Sequence, residues 1–263
     1  MLGRLNVEPG LAAVQVGDHA ASKIYLRNKV RACHEVGIRS ELHQLAPDCP
    51  QDALLSTLGR LNRDPRVHGI LLQLPLPKHL DAERMLQAVA AEKDVDGLTW
   101  TSLGALVAGS PGFEPCTPRG VMVLIERAGI ALDGRHAVVV GRSATVGKPL
   151  ALMLMARGAT VTICHSRTRD LGEYTRRAEV LVAAAGRPGL ITGAMVRPGA
   201  AVMDVGINRL PDGRLCGDVD FASVREVAGW ITPVPGGVGP MTVAMVIANT
   251  IQAAERSAPA LTA

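Results

Sequence analysis

Three short stretches of the chain carry side chains able to do chemistry on a small ligand. Tyr25 and Lys29 lie four residues apart in a helix-like segment, so a phenol and an ammonium project from one face, within reach of one ligand. In isolation the pair reads more simply as a solvated lysine beside a core-edge tyrosine. Gln73 interrupts the apolar run Gly69-Ile70-Leu71-Leu72 just where it passes into Leu74-Pro75-Leu76-Pro77. Open α/β sheets bind ligands at the carboxyl ends of their strands, although a buried glutamine satisfying loop carbonyls is an equally ordinary account. Asp94 and Asp96 stand two apart before Gly97. Such carboxylates can simply form a turn, or one can hold a guanidine-like edge by accepting two parallel N–H bonds.

A fourth stretch suits a phosphate. In Val138-Val139-Val140-Gly141-Arg142-Ser143-Ala144-Thr145-Val146-Gly147-Lys148-Pro149 an apolar β-branched run breaks into glycines and then into a helix-like segment. Unpaired N–H groups and the positive end of the helix dipole would face a pyrophosphate there. The pattern departs from G-x-G-x-x-G: Ser143 replaces the second glycine, and the last glycine, Gly147, comes one residue late. The next strand-like run, Thr160 to Cys164, ends in His165-Ser166-Arg167, where an NAD-binding fold would place an acid for the ribose hydroxyls. With no carboxylate to repel a 2′-phosphate, and with Arg142, Ser143, Ser166 and Arg167 able to donate to one, NADP is the expected cofactor rather than NAD.

The elements that position these residues follow from periodicity and punctuation. Leu11 to Val16 reads as a buried strand with a Gly17-Asp18 turn, and Ser22 as the cap of a helix from about Lys23 to Val36 that Gly37 ends. A helix from Gln51 to Asn62 precedes the Gly69 strand, and another runs from about Asp81 to Ala90. Gly109-Ser110-Pro111-Gly112 and Pro115-Cys116-Thr117-Pro118 mark a linker, followed by a helix from Arg119 to Ala128. From Arg135 strands and helices alternate: helix to about Ala156, strand to Cys164, polar helix near Glu173 to Ala178, strands Val180–Ala184 and Ala201–Gly206. That alternation predicts a doubly wound parallel sheet. Gly213 and Gly217 flank a small hairpin, and Pro233 to Pro240 fixes an unusual backbone path ahead of a closing helix from Met241 to about Arg256.

Composition narrows the class. The 263 residues suffice for two modest domains, and 48% hydrophobic with 20% charged residues is a globular balance. No apolar run approaches the ~20 residues of a membrane helix. A net charge of +4 could suggest nucleic acid, but Lys and Arg are dispersed and aromatics are only 2%, too few to stack bases. Small anionic ligands explain the charge more simply. The five cysteines, Cys33, Cys49, Cys116, Cys164 and Cys216, have no C-x-x-C spacing, and no signal-like segment precedes Gly10. A cytoplasmic protein without a metal centre is expected.

Taken in order, Tyr25-x-x-x-Lys29, Gly69 to Pro77, Lys93-Asp94-Val95-Asp96-Gly97, Pro115 to Pro118, Gly141-Arg142-Ser143-x-x-Val146-Gly147-x-Pro149 and Pro233-Val234-Pro235-Gly236-Gly237-Val238-Gly239-Pro240-Met241-Thr242 closely resemble the bifunctional methylenetetrahydrofolate dehydrogenase/cyclohydrolase family. The match runs from about Gly10 to Arg256, and its last motif is the most specific. The resemblance implies an α/β homodimer of two domains, a catalytic α/β domain and a doubly wound Rossmann domain, with a folate cleft between them. The expected boundaries are 1–117 completed by the closing helix 240–263 for the catalytic domain, and 118–239 for the NADP domain. Family members carry a further N-terminal segment of a few dozen residues, including a helix, where only Met1 to Pro9 stand here. That departure bears on the packing of the catalytic domain and touches none of the matched site positions.

The implied chemistry is one-carbon metabolism feeding purine biosynthesis: 5,10-methylenetetrahydrofolate is oxidised by NADP to the methenyl form, which is hydrolysed to 10-formyltetrahydrofolate. Carried over by the resemblance, Lys29 is the catalytic lysine, assisted by Tyr25 and Gln73. Asp96 holds the pterin's amino-pyrimidine edge, with Pro235, Gly236 and Gly237 also against the folate. Gly141, Arg142, Ser143, Ser166 and Ile207 bind NADP. Hydride removal needs alignment rather than a strong base, whereas water addition needs a proton acceptor. A lysine beside a cationic substrate in a partly dry cleft should titrate low enough to serve. A short-chain reductase also pairs Y-x-x-x-K with a Rossmann loop, but there the motif follows the loop and here it precedes it. A dehydrogenase lacking the hydrolytic step would not need Lys29 and Gln73, and a silent NADP-binding module would have no reason to keep Lys29, Gln73 and Asp96.

Overall fold

The computed structural model describes residues 7–18 and 29–258. The chain divides into two compact units, one formed by Met1–Glu114 with Val243–Ala263 and the other by Pro115–Thr242. Among the described residues no helix is long and apolar enough to cross a membrane.

The first unit is built on a three-stranded parallel sheet in the order β2-β1-β3, where β1 is Gly10–Val16, β2 Arg39–Leu45 and β3 Gly69–Leu72. β1 is buried along its whole length, as a central parallel strand covered on both faces must be. Side chains alternate between faces along it. Ala12, Val14 and Val16 join Ile70 and Leu72 in a core closed by Leu54, Leu58 and Leu61 of helix α2 (Gln51–Arg63) and Met85 of α3 (Ala82–Gln87). The described part of α1, residues 29–35, connects β1 to β2. Ser22, Tyr25 and the first turns expected of this helix lie outside the described residues.

Three features of this unit differ from expectation. β2 carries no strand signal, since RSELHQL has neither an apolar run nor clean alternation; it is an edge strand, half-exposed and held mainly by its ladder to β1. Helix α4 (Trp100–Val107) is short and glycine-containing, and is started by Thr99, whose hydroxyl accepts from the Ser102 N–H. α3 stops at Gln87 rather than Ala90, because Ala88 and Val89 donate three residues back and the Ala90 N–H goes to Asn62 Oδ1.

The second unit holds a five-stranded parallel sheet in the order β10-β7-β6-β4-β5, from β4 (His136–Val140), β5 (Thr160–Cys164), β6 (Val180–Ala183), β7 (Ala201–Asp204) and β10 (Trp230–Ile231). It is the doubly wound sheet the alternation predicted. The chain first builds outward from β4 to β5 and then returns to place β6 on the other side of β4, so the topological switch point lies between β4 and β6. Helices α5 (Cys116–Arg127), α6 (Gly147–Ala156), α7 (Leu171–Thr175) and α8 (Phe221–Arg225) belong to this unit. The expected hairpin is β8 (Asn208–Arg209) with β9 (Leu215–Cys216). The closing helix α9 spans Val238–Ser257, starting three residues before Met241. Pro240 falls in its first turn, where no intrahelical N–H is required.

Candidate functional site

In the first unit the candidate residues hang from the sheet and from one tied-down loop. Lys29 is only 4% exposed, a burial that separates it from an ordinary solvated helix lysine. One turn further on is Cys33, whose thiol burial pushes up to about 11 while the Lys29 ammonium pulls the other way. Gln73 follows β3 directly. Its N–H donates to the Val14 carbonyl at 2.8 Å, its side-chain Nε2 donates to the Leu74 carbonyl at 2.6 Å, and its Oε1 is buried without a hydrogen-bond partner. The Leu74–Pro75 peptide bond is cis.

The two aspartates before Gly97 have separate jobs. Asp94 is buried and consumed internally, accepting from the Leu98 N–H (3.1 Å), the Thr99 N–H (2.8 Å) and the Ser102 hydroxyl (2.6 Å). It is the turn-forming carboxylate, which leaves Asp96, half-buried, as the one set at the surface of the loop. Asn249 of α9, fully buried, donates to the carbonyls of Val95 (2.8 Å) and Glu114 (3.1 Å), and Val95 packs so closely on Gly69 that a Cβ there would meet its methyls at 2.6 Å. Asp96 is therefore positioned through its neighbour by both α9 and β3. Nothing in the motif spacing singled out Asn249; a polar residue on the apolar face of the closing helix was the available signal.

In the second unit the carboxyl ends of β4 and β5 bring four expected residues to one edge. Val140 pairs with Cys164, and the Gly141 N–H donates to the Cys164 carbonyl at 2.9 Å, so Arg142 and Ser143 leave the sheet beside Ser166 and Arg167. All four are exposed. A turn from His165 to Thr168 displays the latter pair: the His165 N–H donates to Thr168 Oγ1 and the Thr168 N–H to the His165 carbonyl, both at 2.9 Å. Gly141 has φ +136°, and a Cβ there would run into the Ala184 carbonyl at the end of β6. A Cβ on Gly147 would in turn strike the Gly141 carbonyl. Both glycines are thus demanded by the close approach of loop, helix and neighbouring strand at the switch point, and two guanidiniums, two serine hydroxyls and no carboxylate within residues 141–143 and 165–168 fit a dinucleotide carrying a 2′-phosphate.

One detail departs from the simple picture of bare helix-terminus amides. Ser143 Oγ accepts from the N–H groups of Val146 (3.1 Å) and Gly147 (3.3 Å), so this residue caps α6 as well as standing at the expected phosphate edge. Ile207 is exposed in the loop after β7 and lies near Gly239 in the first turn of α9. Pro235, Gly236 and Gly237 also belong to this second unit; the Val234–Pro235 bond is cis and Gly236 has φ +102°.

A buried carboxylate pair holds these loops, and motif reading passed over it. Asp204, at the end of β7, accepts from the N–H groups of Gly206, Asp218 and Val219 at 2.9–3.1 Å. Asp218 accepts from Ala185, Gly186 and Arg187 N–H and from Asn208 Nδ2 at 2.6–2.9 Å. A Cβ on Gly206 or Gly217 would collide with Asp218 or Asp204, so the glycines flanking the pair were its sequence signal. Among the described residues no group of three or more His, Cys, Asp or Glu could hold a metal ion.

Comparisons with known proteins find matches to both units. The catalytic-domain model of the tetrahydrofolate dehydrogenase/cyclohydrolase family matches residues 2–96, and that family's NAD(P)-binding-domain model matches residues 115–258. The bifunctional protein FolD of Verminephrobacter eiseniae is 60% identical over 95% of this chain and 88% of its own length. Among solved structures, the FolD dehydrogenase/cyclohydrolase of Campylobacter jejuni is 47% identical with a TM-score of 0.93, covering 95% of this chain and 89% of that one. The Trypanosoma brucei enzyme, complexed with NADP cofactor and inhibitor, is 39% identical with a TM-score of 0.92, covering 95% and 88%.

Two outcomes test the supports of the site. Asn249→Ala removes the bonds to the Val95 and Glu114 carbonyls and should cost about 1–3 kcal/mol in urea unfolding; wild-type stability would mean that α9 does not fix the Asp96 loop. For Asp204, burial pushes the carboxyl up to about 6, the Asp218 carboxylate adding to the rise and three N–H donors opposing it. The folded state then binds this proton more tightly than the unfolded chain, so the stabilisation is full below about pH 4 and is lost as pH rises through about 6. In thermal unfolding, wild type should gain on Asp204→Asn between about pH 7.5 and about pH 5. A difference that stays constant with pH would contradict this.

Proposed function

The chain belongs to the tetrahydrofolate dehydrogenase/cyclohydrolase family, and we propose that one site, assembled around Lys29, Gln73 and Asp96, serves both of its reactions. 5,10-Methylenetetrahydrofolate is oxidised to the methenyl cation, which is hydrolysed to 10-formyltetrahydrofolate. NADP, when bound, accepts the hydride from the carbon bridging N5 and N10. The observation that carries the assignment is a lysine 4% exposed on the helix that follows β1, with the adjacent strand β3 ending in a buried acceptor, Gln73 Oε1, that has no partner.

The roles follow from what each step demands. Hydride departure leaves a cation delocalised over two nitrogens, so it calls on positioning by the folate grip of Asp96, with Pro235 to Gly237 also against the folate. Asp96 accepts from the amino-pyrimidine edge through two parallel N–H bonds, as its tied loop allows. Water addition requires a proton acceptor, and Lys29 is that base, oriented by Gln73, while the Tyr25 ring packs on the aminobenzoate. Arg142, Ser143 and Ser166 take the 2′-phosphate side of NADP, Gly141 lets the backbone approach the pyrophosphate, and Ile207 borders the nicotinamide end. The unit of residues 1–114 with 243–263 is the folate domain and that of 115–242 the NADP domain, a few residues from the expected bounds 117/118 and 239/240. The working protein is a cytoplasmic homodimer, a reading supported by the family resemblance and, for the compartment, by five cysteines that form no disulfide.

The cofactor assignment predicts that Arg142→Ala lowers kcat/KM for NADP by about tenfold or more while leaving NAD little changed, since one charge-assisted bond to the phosphate is lost. Equal wild-type efficiencies with the two cofactors would sink it. The shared site predicts that Lys29→Met loses about 10²–10⁴-fold in methenyl hydrolysis yet keeps measurable dehydrogenase activity, so that the methenyl species accumulates. Equal large losses in both steps, with folding and NADP binding intact, would make Lys29 a positioning group for both and remove its role as base.

A further inference from the structure

β1 contains one side chain that a buried strand should not tolerate. Gln15 is 2% exposed between Val14 and Val16, and its Nε2 has no hydrogen-bond partner. A buried carboxamide donor left unbonded is costly, and such groups are rare without a reason. Among the described residues only four buried side-chain nitrogen or oxygen atoms are in this condition, on Gln15, Ser40, His43 and Gln73.

Gln15 and Gln73 are neighbours by register. Val14 pairs with Leu72, and the Gln73 N–H continues that ladder to the Val14 carbonyl, so Gln15 and Gln73 form the next row at the carboxyl ends of β1 and β3. Paired residues of parallel strands present their side chains on one face, here the face opposite Val14 and Leu72, which pack toward α2 and α3. At its Gly69 end that face meets Val95 and, from α9, Thr250, and handedness assigns α1 to it as well. β2 and β3 flank β1 on opposite sides, so right-handed connections β1-α1-β2 and β2-α2-β3 must cross on opposite faces of the sheet. The helix bearing Lys29 therefore overlies the row that ends in Gln15 and Gln73.

The two orphaned atoms are complementary in kind. Gln15 Nε2 can only donate, and Gln73 Oε1 can only accept. A group bridging them must accept from the first and donate to the second, and a water molecule does both. Resting on the function proposed above, we propose that Gln15 is a positioning residue for the hydrolytic step. Its N–H holds the oxygen of the water that Gln73 Oε1 holds by a proton, beside Lys29. The water oxygen bonds to the methenyl carbon, and one proton passes to Lys29 and on to solvent. The remaining proton moves from the adduct hydroxyl to N5 as the C–N5 bond breaks, leaving the formyl group on N10.

The test uses the full chain and two apolar replacements of similar size, Gln15→Met and Gln15→Leu, with Gln44→Leu as control. Gln44 is the exposed β2 partner of Gln15. NADPH formation from methylenetetrahydrofolate and hydrolysis of added methenyltetrahydrofolate are measured separately, with thermal unfolding of each variant. Both Gln15 variants should keep dehydrogenase activity within about twofold and lose about 10- to 100-fold in kcat for hydrolysis, with KM little changed. Their melting temperatures should stay within a few degrees of wild type or exceed it, because the Gln15 donor has no hydrogen bond to the protein to lose. Gln44→Leu should change neither activity. Unchanged hydrolysis in both variants, or loss of both activities together with a lower melting temperature, would overturn the assignment and make Gln15 a structural residue. Failure of the underlying function shows separately, as wild-type protein lacking one or both activities.

Discussion

Parallel pairing is the constraint from which both units follow. Every strand of the two principal sheets runs parallel to its neighbours, so within each unit all strand carboxyl ends lie along one edge and every connection must cross a sheet face. Beyond their first residue the loops leaving that edge are free of the parallel sheets' ladder bonds. In the first unit this brings the residues after β1 and β3 together; in the second it brings together the segments after β4, β5, β6 and β7. Chemistry collects there because the backbone is exposed at the edge while the strands beneath are rigid.

The segments that carry the candidate residues need anchoring, and the protein does this with buried acceptors. Asp94, Asp204 and Asp218 each accept three or four hydrogen bonds, most of them from backbone N–H groups of the segments that carry the site. Bonds to a charged group contribute about 1.5–3 kcal/mol each, against a desolvation cost that the raised pKa of Asp204 makes visible. The glycines beside the pair, Gly206 and Gly217, leave the space the carboxylates occupy. Asn249 does the corresponding work for the Asp96 loop with a neutral amide.

Much of this was legible in the residues, for identifiable reasons. The unit from β4 to β5 declares itself because a β-branched run, two sterically demanded glycines and an apolar helix follow one another within a short span. The closing helix is legible too, but it begins at Val238 rather than Met241, because Pro240 stands inside its first turn and not in the path ahead of it. β2 was invisible because an edge strand held by backbone pairing leaves no side-chain pattern. The division of labour between Asp94 and Asp96 was likewise hidden, since spacing shows two carboxylates before a glycine but not which of them the next helix consumes. Ser143 was expected only at the phosphate edge; its capping of α6 depends on loop curvature that spacing does not specify.

In the proposed site the two chemistries impose different demands on one set of side chains, alignment for hydride loss and a held water with a proton acceptor for hydrolysis. The most direct measurement is therefore made on the wild-type protein with both substrates present. 5,10-Methylenetetrahydrofolate and NADP are mixed with the enzyme, and NADPH and the methenyl species are followed by their separate absorbances in one sample. A single site serving both steps predicts NADPH matched by 10-formyltetrahydrofolate, with the methenyl species held well below the NADPH formed. NADPH accompanied by an equal and persistent amount of methenyl species, or no NADPH at all, would contradict it.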